Sequence, residues 1–159
     1  MSTNCRIFLK LKKEDINKFK KANPSLFNAE EWNNNTPKVK IKNATYISCY
    51  IHWCGSITDN GILLDKEWKD YDSILNLILC GSLSFIEKDK KIKSYYAWRK
   101  EGWLGIKPYF SDTMKNDEHY SYMFDYETNK WYYVDCNGKI LNDLKSEIEK
   151  LIHKKHSLT

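Results

Sequence analysis

Arginine is scarce in this chain of 159 residues: only two of the 26 basic residues, Arg6 and Arg99, are arginine, and the others are lysine. Arginine makes most of the bidentate contacts by which proteins read guanine and phosphate, whereas lysine acts as a point charge. The net charge of +5 therefore does not indicate sequence-specific DNA binding. It is typical of a solvated surface, and the alternative is attraction to an anionic ligand or an acidic protein.

The chain also lacks a long hydrophobic segment and a paired cysteine motif. The longest apolar run, Ile74 to Cys80, is interrupted by Asn76. It is far shorter than the roughly 20 residues that a membrane span needs. No signal-peptide core is present at the N-terminus, and the five cysteines form no Cys-x-x-Cys pair. We therefore expect free thiols, no membrane insertion and a cytoplasmic location.

The hydrophobic pattern predicts an α+β fold in a single domain, residues 1–159, with a disordered tail at roughly 154–159. Apolar and polar residues alternate in the segments that we expect to be strands, namely 5–11, 38–42, 45–53, 92–99, 119–126 and 131–135. Apolar residues recur with helical spacing in 65–79 and 141–153. The expected architecture is an antiparallel sheet of about five or six strands, packed by these two helices.

Local signals predict further details of these elements. Asp65, or Asp70 if the first turn is irregular, is expected to cap the first of the two helices. Asn137-Gly138 is a strong turn signal. In the hairpin of the last two predicted strands, a four-residue loop would pair Tyr126 with Trp131 and so bring aromatic side chains together.

The predicted strand 45–53 has two distinct faces. One face carries Ile47, Cys49, Ile51 and Trp53 and is expected to join the core. The opposite face carries Tyr46, Tyr50 and His52. In a hairpin with the predicted strand 38–42, Lys40 and Lys42 are expected to join this face. This basic and aromatic surface suits a nucleotide-like or acidic partner, and the alternative is an ordinary solvated face of the sheet.

The most informative segment begins at Tyr50, where this strand ends in the pair His52-Trp53 before a turn and a helix. Strand ends that lead into a turn and a helix are places where side chains can converge on a ligand. Arg99 follows Trp98 at another predicted strand end, where it can stack on a base and bind a phosphate. The alternative is that Arg99 pairs with a surface acid.

No complete catalytic or metal signature accompanies this segment. The four histidines lack the spacing of zinc ligands, so we expect no metal and no cofactor. Cys54 lies two residues after His52, and such residues in a strand are about 7 Å apart, too far for direct proton transfer. The sequence does not establish whether the chain is an enzyme, and we favour a protein that does not catalyse a reaction.

Three motifs occur in a fixed order between residues 46 and 84. They are Tyr50-Ile51-His52-Trp53-Cys54-Gly55-Ser56, then Gly61-Ile62-Leu63-Leu64, then Gly81-Ser82-Leu83-Ser84. In this order the chain resembles a family of small, mostly uncharacterised phage-encoded proteins with a Tyr-x-His-Trp-Asp-Gly-Tyr motif. The resemblance covers about half of the chain. Cys54 and Ser56 depart from it, because the family has an acidic residue and a tyrosine there, and this difference weakens an enzymatic interpretation.

The resemblance implies a phage accessory protein that antagonises a host defence system in the host cytoplasm. We expect it to sequester a nucleotide-like signal without turnover. The residues expected to bind the ligand are Tyr50, His52, Trp53, Trp98, Arg99, Lys40 and Lys42. One alternative is a protein–protein inhibitor that occludes a host defence protein, and another is a small hydrolase or phosphodiesterase that uses His52. We leave open whether the chain forms a homo-oligomer in which the subunit interface completes the site.

Overall fold

The computed structural model of the chain describes residues 4–22, 45–51, 55–80, 82–86, 92–98 and 109–157. In these ranges, eight strands form one sheet. The strands are β1 Cys5–Lys10, β2 Tyr46–Ile51, β3 Ser82–Ile86, β4 Ile92–Trp98, β5 Tyr109–Ser111, β6 Tyr120–Asp125, β7 Lys130–Val134 and β8 Ile140–Asp143. The helices are α1 Lys13–Ala22, α2 Ile62–Glu67, α3 Tyr71–Cys80 and α4 Leu144–Ser157, and a π-helical turn, Ile57–Gly61, leads directly into α2.

The sheet confirms the α+β class but is larger than expected and mixed. Its strand order is β3-β4-β2-β1-β6-β7-β8, and β5 also pairs with β2. The pair β1–β6 is parallel, whereas the other pairs are antiparallel. Parallel neighbours need a long crossover, and most of the chain lies between these two strands. The sheet is therefore mostly antiparallel, as expected, and departs from the expectation in one parallel pair at its centre, where pairing depends on long-range contacts.

One face of the sheet carries the main hydrophobic core. Ile7 and Leu9 of β1 and Ile47 of β2 are completely buried there. The helices that cover this face contribute Leu64, Tyr71, Ile74, Leu77, Ile78, Leu144 and Ile148. Burying one such aliphatic side chain stabilises the fold by about 1.5–3 kcal/mol. The predicted core face of β2 is confirmed for Ile47, Cys49 and Ile51, whereas Trp53 lies outside the described residues. The prediction that helices from the middle and the end of the chain pack on the sheet is also confirmed.

The predicted helix 65–79 is two helices with a break at Trp68. The Trp131 indole donates a hydrogen bond to the Trp68 carbonyl, which supplies this helix end with a tertiary partner. Asp70 then caps α3, because its Oδ2 accepts bonds from the Ser73 amide (3.2 Å) and the Ser73 hydroxyl (2.6 Å). These bonds lower the pKa of Asp70. Asp70 is therefore the cap, as expected for an irregular first turn.

The C-terminal helix begins later than predicted, because Leu141 belongs to strand β8 and not to the helix. Asp143 caps α4 by accepting hydrogen bonds from the Ser146 amide (2.8 Å) and the Ser146 hydroxyl (2.9 Å). The helix extends to Ser157, so residues 154–157 of the predicted disordered tail are helical. None of the helices in the described ranges has the length and apolar character needed to cross a membrane.

The β6–β7 hairpin has a different register from the predicted one. Phe124, and not Tyr126, lies opposite Trp131, and the loop contains Asn129 with a φ of 55°. Asparagine tolerates this left-handed conformation better than most residues. The slip is by two residues, so Phe124 and Trp131 both stay in the core, with ring centroids 5.4 Å apart. The Asn137-Gly138 turn is confirmed, with Gly138 at a φ of 87°.

Candidate functional site

Two of the seven predicted binding residues occupy paired positions on neighbouring strands. Tyr50 of β2 lies opposite Trp98 of β4 in the antiparallel register. The other five, His52, Trp53, Arg99, Lys40 and Lys42, lie outside the described residues. In the sequence, His52 and Trp53 follow Tyr50 closely, and Arg99 follows Trp98 directly. The pairing therefore joins the two chain segments that carry five of the predicted residues.

Tyr50 points to the face of the sheet opposite the main core, which we call the second face. The alternation of β1 places Arg6 and Phe8 on this face, and the alternation of β2 places Ser48 there beside Tyr50. The loop 112–119 covers the middle of the face. Its Met114 is buried in a small apolar cluster with Phe8, Met123 and Val134. The second face is thus neither fully solvated nor a second complete core.

A buried arginine occupies the strand position next to Tyr50. Arg6 has 0% exposure, and its Nη1 donates a hydrogen bond to the Ser48 hydroxyl at 3.2 Å. Its Cζ lies 5.4 Å from the centroid of the Tyr109 ring, which is within the range of a cation–π contact. We call Arg6, Ser48, Tyr50, Tyr109 and Glu118 the Arg6 cluster.

Burial and a nearby acidic residue have opposite effects on the pKa of Arg6. Burial lowers the pKa of Arg6, and the Glu118 carboxylate is the strongest of the nearby groups that raise it again. Arginine keeps its proton under ordinary conditions. Burial is also the main cause that raises the pKa of Tyr50, followed by the negative charge of Glu118. Tyr50 is therefore a neutral phenol at physiological pH, with a half-buried ring at the strand position opposite Arg6.

The backbone of Glu118 is held in place by polar residues of the covering loop and of β6. The Glu118 amide donates to Asn116 Oδ1 at 2.9 Å, and Asn116 Nδ2 donates to the Ser121 hydroxyl at 2.7 Å. Ser121 lies opposite Arg6 in the β1–β6 register. Asn116 and Ser121 are both buried. This chain of contacts ties the covering loop to the strand position beside Arg6.

Two backbone amides of the Gly55–Gly61 segment are engaged within the segment and do not face an anion. The amides of Asp59 and Gly61 both donate to the Ser56 carbonyl at 3.1 Å. Gly55 is held against β1, because a Cβ atom there would lie 2.6 Å from the Asn4 carbonyl carbon. The Tyr122 hydroxyl also donates to the Gly55 carbonyl at 2.6 Å. The glycine of the predicted motif thus has a structural role in this chain.

Thiol chemistry is disfavoured at the two cysteines of the central strands. Cys5 and Cys49 are buried in the main core. Burial is the main cause that raises the pKa of the Cys5 thiol, so Cys5 stays protonated and is a poor nucleophile. Among the described residues, no group of three or more histidine, cysteine or acidic side chains is arranged to hold a metal ion.

Arg6 is the main residue that sequence reasoning did not select. Arg6 alternates along β1 with the apolar residues Ile7 and Leu9, so the local pattern predicts that it lies on the polar face of the strand. Two signals were present: arginine is rare in this chain, and the polar face of β1 also contains Phe8. An aromatic residue between two cations suggests that a face is partly covered. Neither signal identifies the partners Tyr109 and Glu118, which lie far away in the sequence.

Comparisons with known proteins do not identify a relative. No protein-family model, no curated protein and no solved structure matches this chain. The resemblance to small phage-encoded proteins therefore stays a prediction.

Proposed function

We propose that the protein binds a nucleotide-like signal molecule without turning it over, at the end of the second face where Tyr50 meets Trp98. In this proposal a phage uses it to antagonise host defence, as the family resemblance implies. The observation that supports the site is the register between β2 and β4. It pairs two aromatic residues that were selected from the sequence independently of each other.

The chemistry of such a site combines stacking with charge. Base–aromatic stacking contributes about 1–3 kcal/mol per base and tolerates any base, because every base has a π face. The half-buried ring of Tyr50 is suited to this contact. Arg99, Lys40 and Lys42 are proposed to bind the phosphate groups, with arginine giving the bidentate contact.

The direct test is to identify the ligand. We would screen cyclic dinucleotides and ADP-ribose derivatives by thermal shift. Mass spectrometry would then analyse small molecules released by heat from protein purified from bacteria. A stabilising nucleotide that is recovered unchanged supports sequestration. Recovery of a cleaved product would instead support the hydrolase that uses His52, and the absence of any shift would count against the proposed ligand class.

Variants of two tyrosines give a matched comparison. Tyr50→Ala should weaken nucleotide binding by about tenfold or more, since it removes a stacking platform. Tyr132→Ala is the control, because Tyr132 is also half-buried on the second face but lies on β7, three strands away. Equal losses in the two variants, measured by calorimetry, would contradict the proposed location.

Arg99→Ala tests the charged part of the proposal. We expect affinity to fall by roughly tenfold or more while the melting temperature stays nearly unchanged. A large loss of stability without a selective binding defect would identify a structural arginine. Both quantities come from one series of thermal-shift and calorimetric measurements.

A second candidate function, inhibition of a host protein by direct contact, is favoured by a different observation. Large apolar side chains are exposed near the C-terminal end of the chain: Ile140 (44%), Leu141 (49%), Leu151 (36%) and Ile152 (44%). Exposed apolar side chains on strands and helices are typical components of protein interfaces. If Leu141→Lys abolishes capture of one identified host protein and leaves nucleotide binding unchanged, this candidate is supported.

A further inference from the structure

We propose that Tyr109 is a second stacking residue of the binding site, so that the preferred ligand carries two nucleobases joined through phosphate. The inference rests on the proposed function, because Tyr50 is the first stacking residue there. It adds Tyr109 to the residues selected from the sequence. It also separates ligands with two bases from ligands with a single base, such as ADP-ribose.

Tyr109 and Tyr50 are neighbours on the second face of the sheet. Tyr109 of β5 lies opposite Ser48 of β2, and Tyr50 is two residues further along β2. Opposite positions share a face of the sheet, and diagonal neighbours of this kind are about 7–8 Å apart, within reach of aromatic side chains. Both tyrosines are half-buried, so part of each side chain is accessible. Two aromatic surfaces therefore lie side by side on neighbouring strands.

The Tyr109 ring is supported by Arg6, and its strand is anchored in the core. Arg6 Nη1 donates to the Ser48 hydroxyl at 3.2 Å, and Arg6 Cζ lies 5.4 Å from the Tyr109 ring centroid. Because Arg6 is completely buried, the accessible part of Tyr109 is not the part that faces the guanidinium. On the core side of β5, Phe110 is buried, with its ring centroid 5.4 Å from that of Phe19. A side chain held in this way loses little conformational entropy when a base stacks on it.

The composition of this part of the face favours a nucleotide as the occupant. β1 contributes two cations to the face, Arg6 and Lys10, and strands β2 and β5 contain no acidic residue. Lys10 is also paired with Glu127 at 2.7 Å. The net charge of +5 acts in the same direction and favours an anionic ligand. Proteins that bind single-stranded RNA on a sheet stack two or three bases on aromatic side chains of the sheet.

The test compares ligands with one base and with two bases by calorimetry on the full chain. The probes are adenosine monophosphate, the linear dinucleotide of two adenosines, and cyclic di-adenosine monophosphate. Adenine is suitable because stacking tolerates any base. We expect the unmodified protein to bind one of the two-base probes about tenfold or more tightly than adenosine monophosphate, since the second base adds a stacking contact. A tighter cyclic probe identifies a cyclic signal as the source of the ligand, whereas a tighter linear probe identifies single-stranded RNA.

Variants at Tyr109 locate the second contact. Tyr109→Leu should abolish the preference for two bases and leave the affinity for adenosine monophosphate nearly unchanged. Tyr109→Phe is the matched control, because it keeps the ring beside Arg6 and should keep the preference. The ratio of the two affinities is the readout, since a residue with a purely structural role would lower both together. If Tyr109→Leu does not fold, Tyr109→Val, which suits a strand, takes its place.

The outcomes separate this inference from the proposed function. If the three probes bind equally and Tyr50→Ala weakens all of them, the proposed function stands and the inference is overturned. If the preference for two bases persists in Tyr109→Leu, the second base binds elsewhere and Tyr109 is not the stacking residue. If none of the three probes binds, the nucleotide proposal fails and this inference fails with it.

Discussion

Two of the cations that the structure describes, Arg6 and Lys12, contact aromatic rings, and they differ in burial. Arg6 is completely buried, with its Cζ 5.4 Å from the centroid of the Tyr109 ring. Lys12 is half-buried at the rim, with its Nζ 4.6 Å from the Tyr71 ring centroid and 5.7 Å from that of Tyr126. The same kind of contact therefore occurs in two environments, one dry and one close to water.

We expect burial to decide how much each cation contributes to the free energy of unfolding. Inside the protein, an ion that loses its partner remains uncompensated in a low dielectric, so the partners depend on each other. At the rim, water solvates the lysine head group, and the tyrosine hydroxyl makes the stronger contacts. The Tyr71 hydroxyl accepts the Lys12 amide proton at 3.0 Å and donates to Asp15 Oδ2 at 2.7 Å.

The largest expected effect comes from removing the buried cation. Arg6→Ala should lower the free energy of unfolding by about 2–5 kcal/mol, because it empties the space of a completely buried side chain. Arg6→Met, which fills most of that space with apolar atoms, should be less damaging. Urea unfolding followed by tryptophan fluorescence measures both variants. A loss below about 1 kcal/mol for Arg6→Ala would mean that the burial of Arg6 contributes little to stability.

Removing the rim hydroxyl should have an intermediate effect. Tyr71→Phe keeps both ring contacts but deletes the two hydrogen bonds of the hydroxyl, at an expected cost of about 1–3 kcal/mol. Tyr132→Phe is the control, since within the described part of the chain its hydroxyl donates one hydrogen bond, to Thr128 Oγ1 of an exposed turn at 3.0 Å. Chemical denaturation should separate the two variants clearly, and equal losses would refute the special role of Tyr71.

A third expectation concerns alkaline pH and the buried Tyr122. Burial is the main cause that raises the pKa of Tyr122 in the folded protein. The folded state therefore keeps a proton that the unfolded state loses above its pKa of about 10. This contribution is fully present below about pH 10 and is lost at about 1.4 kcal/mol per pH unit above it. Unfolding free energies between neutral pH and about pH 11 measure the slope, and Tyr122→Phe should reduce it.

The smallest expected effect comes from the rim cation itself. Lys12→Met should change the free energy of unfolding by only about 0.5–1 kcal/mol, because an exposed cation–π contact contributes little. Raising the salt concentration should reduce the difference between the variant and the unmodified protein. If Lys12→Met were as damaging as Arg6→Ala in the same urea series, burial would not be the deciding variable.

Part of the candidate site could be predicted from the sequence. Tyr50 and Trp98 were selected because each lies near the end of a predicted strand among aromatic residues, and both strands exist. Their pairing could not be predicted, since it depends on which strands become neighbours. Arg6 was missed for the same reason: its surroundings come from β5 and from the loop that carries Glu118.

The sequence by itself determined the features that depend on neighbouring residues. Alternation predicted the buried and polar faces of β1 and β2, and the Asn137-Gly138 pair predicted a turn, because side-chain direction and turn geometry are local properties. Tertiary structure alone decided the parallel β1–β6 pair and the helix break at Trp68. It also decided the burial of Arg6. Each of these depends on contacts between distant parts of the chain, which local patterns do not specify.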